Sequence, residues 1–85
     1  MKEFTYTITD EQGIHARPAG LLVKEAAGFT SAITIEKDGK KVDVKRILGV
    51  MGLGAKKGAE ITLRAEGEDE DAAIEKLSAF LQENL

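Results

Sequence analysis

The sequence of 85 residues contains no cysteine or tryptophan, one proline, one histidine and few other aromatic residues. Without cysteine, neither a disulfide framework nor a thiolate metal site is available. No apolar run approaches the roughly 20 residues of a membrane-spanning helix, and Met1–Phe4 leads into a strand pattern with no signal peptide before it. We therefore expect one cytoplasmic domain covering residues 1–85, which buries about 60 per cent of its unfolded surface.

The sequence also lacks an excess of positive charge, since its formal net charge is −3. Its charges are nevertheless separated along the chain. The basic residues of the middle are Lys37, Lys40, Lys41, Lys45, Arg46, Lys56 and Lys57, and the C-terminal part is predominantly acidic. Because the total is acidic and no aromatic residues are interleaved with the lysines, nucleic acid is disfavoured as a partner. An acidic protein surface or a phosphate group fits the basic part better.

Four short segments alternate between apolar and polar residues, which is the pattern of strands with one buried face. Their apolar members are Phe4, Tyr6 and Ile8, then Ile33 and Ile35, then Val42 and Val44, and finally Ile61, Leu63 and Ala65. Asp38-Gly39 predicts a two-residue hairpin between the second and third segments. Because each strand is apolar on one face only, we expect an antiparallel sheet covered by helices on one side, an α+β fold.

Three further segments predict helices and give the order β-α-β-β-α-β-α. The apolar positions of the two longer ones are Ala19, Leu22, Val23 and Ala26, and Ala73, Ile74, Leu77 and Leu81. The first is expected to end near Gly28, a residue typical of the position after a helix. The last follows Asp69–Asp71, whose negative charges suit the start of a helix. Ile47–Leu53 is short, and its apolar and polar residues do not alternate as they would in a strand. We interpret it as a helix of one or two turns.

The turn Gly13–Pro18 holds both the histidine and the proline. A proline is tolerated in the first turn of a helix, because its missing N–H would have no partner there. With Pro18 at the third helical position, His15 falls at the N-cap. Ile14 and Ala19 then occupy the two positions of a hydrophobic staple. The histidine is therefore placed at the positive end of a helix, which favours an anion.

A lone histidine at a helix start is more often a cap or a solvated side chain than a nucleophile. Here the positive helix end disfavours an imidazolium ring, so we expect a neutral ring with a free lone pair. Arg17 offers donors suited to phosphate, and the amides of Ala16 and Arg17 have no helical partners. No second nucleophile, metal cluster or phosphate-binding loop accompanies His15. This combination suggests a carrier that moves a phosphoryl group between proteins.

The same residues carry a family resemblance. Gly-Ile-His-Ala-Arg-Pro-Ala, followed in order by Gly28-Phe29, Gly49-Val50-Met51, Leu53-Gly54 and Ala65-Glu66-Gly67, resembles the histidine-containing phosphocarrier (HPr) family of the bacterial sugar phosphotransferase system. The resemblance extends over nearly the whole chain. It implies an HPr-like open-faced β-sandwich, a four-stranded antiparallel sheet of order 1-4-2-3 covered by three helices.

The resemblance also implies a role for each residue of the turn. His15 would accept a phosphoryl group on Nδ1 from phospho-Enzyme I and pass it to IIA domains, with Arg17 as the family's arginine. The chain would be a carrier and not an enzyme, and it would need no cofactor, since phosphoenolpyruvate and magnesium are used by Enzyme I. We expect a monomer that neither binds nucleic acid nor inserts into a membrane.

The short second helix is the second functional region. Its apolar residues could belong to the core, but seven positions on so short an element cannot all face inward. The family docks its partners on this helix and the first one. The candidate docking residues are Ala16, Gly20, Leu21, Lys24, Lys45, Arg46, Ile47, Leu48, Met51 and Gly52. Met51 suits a surface that must fit several partners.

Three positions depart from the family pattern. Arg46 stands where a serine is often the target of a regulatory kinase, which removes that switch, and Gly20 and Gly52 replace bulkier or hydroxyl-bearing residues. Two alternatives to the sugar carrier remain open. One is a regulatory binding module on the same fold, with regulatory proteins as partners, and the other is a phosphocarrier of a nitrogen- or stress-related branch.

Overall fold

The computed structural model describes residues 1–85 and shows the predicted element order. The strands are β1 Lys2–Thr7, β2 Ala32–Lys37, β3 Lys40–Asp43 and β4 Glu60–Glu66, and the helices are α1 Ala16–Ala27, α2 Ile47–Gly52 and α3 Glu70–Asn84. The Ile47–Leu53 segment is thus a short helix, as predicted. None of the three helices has both the length and the apolar character needed to cross a membrane.

The four strands form one antiparallel sheet in the order β1-β4-β2-β3, which confirms the order implied by the family resemblance. One row of paired residues runs across all four strands: Phe4, Leu63, Ile35 and Val42. The predicted hairpin joins β2 to β3, and both turn residues have positive φ, 51° at Asp38 and 82° at Gly39. This is the backbone conformation of a type I′ turn, whose twist matches that of the strands.

The core lies between one face of the sheet and the helices. Alternate residues of β2 and β4 are buried, as are the predicted apolar positions of α1 and α3 except Val23 and Ile74, which are partly buried against the core. Eighteen buried apolar residues form a single cluster, in which Leu22, Ile35 and Leu77 are completely inaccessible. The opposite face of the sheet is polar, and there Arg64 bridges Glu3 and Glu36 on the neighbouring strands. One face of the sheet is therefore open to solvent, and the helices cover the other face.

α1 ends at Ala27, next to Gly28, as predicted. The φ of Gly28 is −77°, in the right-handed region, so the helix ends without a left-handed residue. Its N–H donates to Glu25 O at 3.2 Å, which tightens the last turn. The ammonium of Lys45 then donates to Phe29 O at 2.7 Å. This bond ties the β3–α2 connection to the segment that follows α1.

Asp69 joins the start of α3 to the start of β2. It occupies the N-cap of α3, yet its carboxylate makes no bond within that helix. Instead it accepts hydrogen bonds from the Ser31 hydroxyl and from the N–H groups of Thr30 and Ser31, the latter two at 2.8 and 2.9 Å. The bond from the Ser31 hydroxyl, followed by that from the Thr30 amide, lowers the pKa of Asp69 to about 2.

Candidate functional site

His15 lies at the N-cap of α1, as predicted. Its backbone is extended, with φ −101° and ψ −173°, and its carbonyl accepts the first helical bond from Ala19 N–H at 2.9 Å. Pro18 is in the first turn and is buried, together with Ile14 and Ala19 at the two staple positions. The His15 side chain makes no capping bond. Its ring therefore has no role in holding the helix start, and it is half-buried beside the helix end.

Two backbone donors lie next to the histidine. The N–H groups of Ala16 and Arg17 have no hydrogen-bond partner within the protein, and Pro18 has no N–H. Both residues are exposed. Free amides at a helix N-terminus attract negative charge because the aligned peptide dipoles leave that end positive. The arrangement can therefore hold an anionic group close to the imidazole ring.

A solvent-open depression of about 310 Å³ surrounds this end of the helix. Its lining residues are Asp10, His15, Arg17, Pro18, Leu21 and Asn84. Asp10 and Asn84 were not among the sequence candidates, because they belong to the β1–α1 connection and the end of α3. Their side chains accept from Gln12 N–H at 2.8 Å and donate to Phe80 O at 3.0 Å, respectively. No local motif marks either residue, so only the folded chain brings them to the site.

Four side chains of α1 and α2 are apolar and exposed and are called the apolar surface below; one of them, Leu21, also lines the depression. They are Leu21, Ile47, Leu48 and Met51, with exposed fractions of 44%, 41%, 82% and 40%. Val50 and Leu53 are buried, so α2 divides into a core side and a solvent side. The two helices meet at Gly20, where a Cβ would lie 3.8 Å from the Ile47 Cδ1 atom. The structure thus brings the predicted docking residues of both helices together.

The other predicted docking residues differ in their exposure and in whether their polar groups already have a partner within the chain. Lys24 and Arg46 are exposed, and the Arg46 Nε lies 3.9 Å from the Asp43 carboxylate. Lys45 is half-buried, with its ammonium already bound to a backbone carbonyl. Gly52 is exposed, and its carbonyl accepts from Lys40 Nζ at 3.1 Å. Arg46 and Lys24 are therefore the cations most available to a partner.

Comparison with known proteins agrees with this geometry. The family model described as "PTS HPr component phosphorylation site" matches residues 2–83. The phosphocarrier protein HPr of Lysinibacillus sphaericus is 51% identical over 83 residues, which is 98% of this chain and 94% of that protein. The HPr-like protein Crh of Bacillus subtilis is 55% identical over 73 residues, 86% of each chain.

Solved structures give the same result. An HPr from Thermoanaerobacter tengcongensis superposes with a TM-score of 0.92 at 48% identity, covering 96% of this chain and 92% of that one. A crystal structure of Crh, described as a dimer with a swapped domain, gives 0.79 at 53% identity over 88% and 86% of the two chains. With the β-α-β-β-α-β-α order, the sheet order and the histidine at the helix start, these matches show that the chain belongs to the HPr family of phosphocarrier proteins.

Proposed function

We propose that this chain carries phosphoryl groups in a sugar phosphotransferase system, accepting them on His15 from phospho-Enzyme I and donating them to IIA domains. The observation that carries the proposal is the placement of His15 at the N-cap of α1, beside two unpartnered amides. Arg17 borders the same depression. The site therefore combines a nucleophile with donors for a dianionic group, and its ring is free of structural hydrogen bonds.

The transfer step is a displacement at phosphorus. The Nδ1 lone pair of His15 forms the new N–P bond, while the N–P bond of the donor breaks and its electron pair returns to the donor ring. If the donor ring is protonated on its other nitrogen, it leaves as neutral imidazole. His15 keeps its Nε2 proton, so charge and protons balance. The amides of Ala16 and Arg17 and the Arg17 guanidinium stabilise the negative oxygens in the transition state.

The shape of the site supports a protein donor over a small-molecule substrate. The depression of about 310 Å³ is open to solvent and lies at the lower limit of typical ligand pockets. It provides no enclosed surface for a sugar or phosphoenolpyruvate.

We infer that phosphoenolpyruvate and magnesium are used by Enzyme I, that this chain needs no cofactor of its own, and that it acts as a cytoplasmic monomer.

The apolar surface supplies the contact area for those partners. It lies beside the depression, since Leu21 belongs to both. Lys24 and Arg46 add exposed positive charge that suits acidic partner surfaces. A single surface of this kind would meet Enzyme I and IIA domains in turn, because each exchanges a phosphoryl group with the same residue, His15.

A regulatory binding module on the same fold is the second candidate. The similarity to Crh favours it, since Crh is related to this chain as closely as an HPr is. A phosphocarrier of a nitrogen- or stress-related branch is a variant of the first candidate. Phosphorylation separates the two classes, because a pure binding module would not need a phosphorylatable histidine.

The experiment is intact-mass spectrometry after incubation with Enzyme I of Lysinibacillus sphaericus, magnesium and phosphoenolpyruvate. We expect the parent chain to gain one acid-labile phosphoryl group and the His15→Ala variant to gain none. His15→Ala should remain folded, because the ring makes no capping bond. If the folded parent stays unmodified with this and other sources of Enzyme I, the carrier proposal is wrong.

A further inference from the structure

We propose that Gly13 is a positioning residue for phosphoryl transfer, which fixes the backbone of His15 by locking the β1–α1 connection onto the loop of residues 54–58. The proposal rests on the carrier function of His15. Gly13 itself touches neither the phosphoryl group nor a partner protein. It acts through the two residues that follow it, by a contact that no other amino acid allows.

The first observation is steric. Gly13 is buried and has a φ of +66°. A Cβ on this residue would lie 2.2 Å from Ala55 O and 2.5 Å from Lys56 Cα. Both are backbone atoms, so no side-chain rotation makes room, and the left-handed conformation adds strain of its own. Any side chain therefore requires the two segments to separate.

The second observation is a chain of hydrogen bonds that leads from this contact to the histidine. Gly13 N–H donates to Asp10 O at 3.0 Å, and Gly13 O accepts from His15 N–H at 3.0 Å. Between them, Ile14 N–H donates to Ala55 O at 2.9 Å. The Gly13–Ile14 peptide is thus held at its N–H by the facing loop, and its carbonyl in turn holds the N–H of His15. The position of His15 follows from the orientation of Gly13.

The facing loop is itself anchored, so it can serve as a support. Gly58 N–H donates to Ile8 O at 2.9 Å, which ties the loop to the end of β1, and Ala59 N–H closes a turn onto Lys56 O at 2.9 Å. The Ala55 side chain is 1% exposed within the core. Because this support is held to β1 and to the core, a side chain at Gly13 would shift the segment that ends in His15 relative to it. Displacements near 1 Å cost up to about 100-fold in rate when reacting groups must be aligned.

The test compares Gly13→Ala with Gly54→Ala in the full chain. Gly54 has a similar φ of +71°, but a Cβ there meets nothing within 4 Å. Gly54→Ala therefore reproduces the strain of a left-handed alanine without a clash against neighbouring backbone atoms. We expect Gly13→Ala to lower the maximal rate of transfer from phospho-Enzyme I about 10- to 100-fold, with KM changed less than about threefold. Gly54→Ala should transfer within about twofold of the parent at saturation.

Two readouts and one further variant keep the outcomes distinct. Amide and imidazole NMR shifts of His15 should move in Gly13→Ala and stay in Gly54→Ala, whether or not the parent can be phosphorylated, so failure of the carrier function leaves this test intact. A folded Gly13→Ala chain with parental His15 shifts and rate would overturn the proposal, as would equal losses in both variants. If Gly13→Ala does not fold, an amide-to-ester replacement at Ile14 N removes the bond to Ala55 O without adding atoms. It should lower the maximal rate at least threefold, and an unchanged rate would contradict the proposal.

Discussion

At the scale of single residues, His15 and Arg17 divide the work of the site. In the proposed transfer the imidazole would form the bond to phosphorus, and the guanidinium would supply a charged fork near the oxygens that surround phosphorus. Arg17 is exposed at the helix start and makes no ion pair in the folded chain. Its charge is therefore available to an incoming phosphoryl group without first breaking a contact.

Arg17→Ala should slow phosphoryl transfer in both directions by about 10- to 100-fold while still allowing it, because loss of one stabilising donor costs roughly that much. Arg17→Lys should recover only part of the rate, since an ammonium cannot present two parallel donors. Single-turnover kinetics with phospho-Enzyme I would measure both. An Arg17→Ala rate equal to the parent's would remove Arg17 from the mechanism.

Arg46 is a second residue whose position is informative. It is the N-cap of α2, where its side chain makes no capping bond. Arg46→Ser should raise the free energy of unfolding by about 0.5–1 kcal/mol in urea titrations, because a hydroxyl can accept from a free amide of the first turn. It should also slow association with Enzyme I at low salt, and the deficit should shrink at high salt. Arg46→Gln is the control, since it removes the charge without adding a cap. Equal association rates for all three chains would leave Arg46 with no part in docking.

At the scale of elements, α2 shows how one short helix serves both the core and the surface. Leu48→Asp should change the free energy of unfolding by less than about 0.5 kcal/mol, because the side chain is 82% exposed. It should nevertheless weaken Enzyme I binding about tenfold or more, measured by calorimetry. Val50→Asp is the matched control on the core side, where a buried unpaired charge should unfold the chain. A large stability loss in Leu48→Asp would show that the residue belongs to the core.

The junction of α3 and β2 predicts a dependence of stability on pH. The folded pKa of Asp69 is about 2, below its ordinary value of 3.8. On acidification the unfolded chain therefore takes up this proton first, and the stability that Asp69 contributes is lost between about pH 4 and pH 2. Asp69→Asn should be less stable than the parent above pH 4 and should lose less stability through that window.

Urea titrations at several pH values would test this dependence. Glu70, whose pKa is lowered mainly by its bond to the N-terminal ammonium, should leave a residual slope in Asp69→Asn. Asp71→Asn is the control, because its partner Lys2 forms only an exposed pair. A parental slope in Asp69→Asn would contradict the assignment.

The spacing of apolar residues and the turn residues predicted the helices and strands well, because each of these elements depends mainly on residues that are close in sequence. The start of α1 at His15 followed from Pro18 and the apolar spacing, and the hairpin followed from Asp38-Gly39. The strand order did not follow from the pattern, because the alternation of apolar and polar residues in a strand does not depend on which strands lie beside it. The order came from the family resemblance. The contact of Gly13 with Ala55 was equally hidden, because it joins segments about 40 residues apart.

At the scale of the whole molecule, one face of the sheet and the helices enclose the core. His15 and the proposed docking residues therefore belong to the elements that cover this face of the sheet, and not to its polar face. α1 and α2 lie against each other at Gly20 and Ile47, and Leu21 belongs both to the apolar surface and to the depression. A partner that docks as we propose on this surface would therefore lie next to His15.

A phosphocarrier must pass on the phosphoryl group that it receives. The direct measurement is to isolate the phosphorylated chain, free of Enzyme I and phosphoenolpyruvate, mix it with a IIA domain, and follow the intact masses of both proteins. We predict that the chain loses its phosphoryl group as the IIA domain gains one, in equal amounts and much faster than spontaneous hydrolysis. A phosphorylated chain that declines only at the hydrolysis rate, with every IIA domain unmodified, would contradict the account.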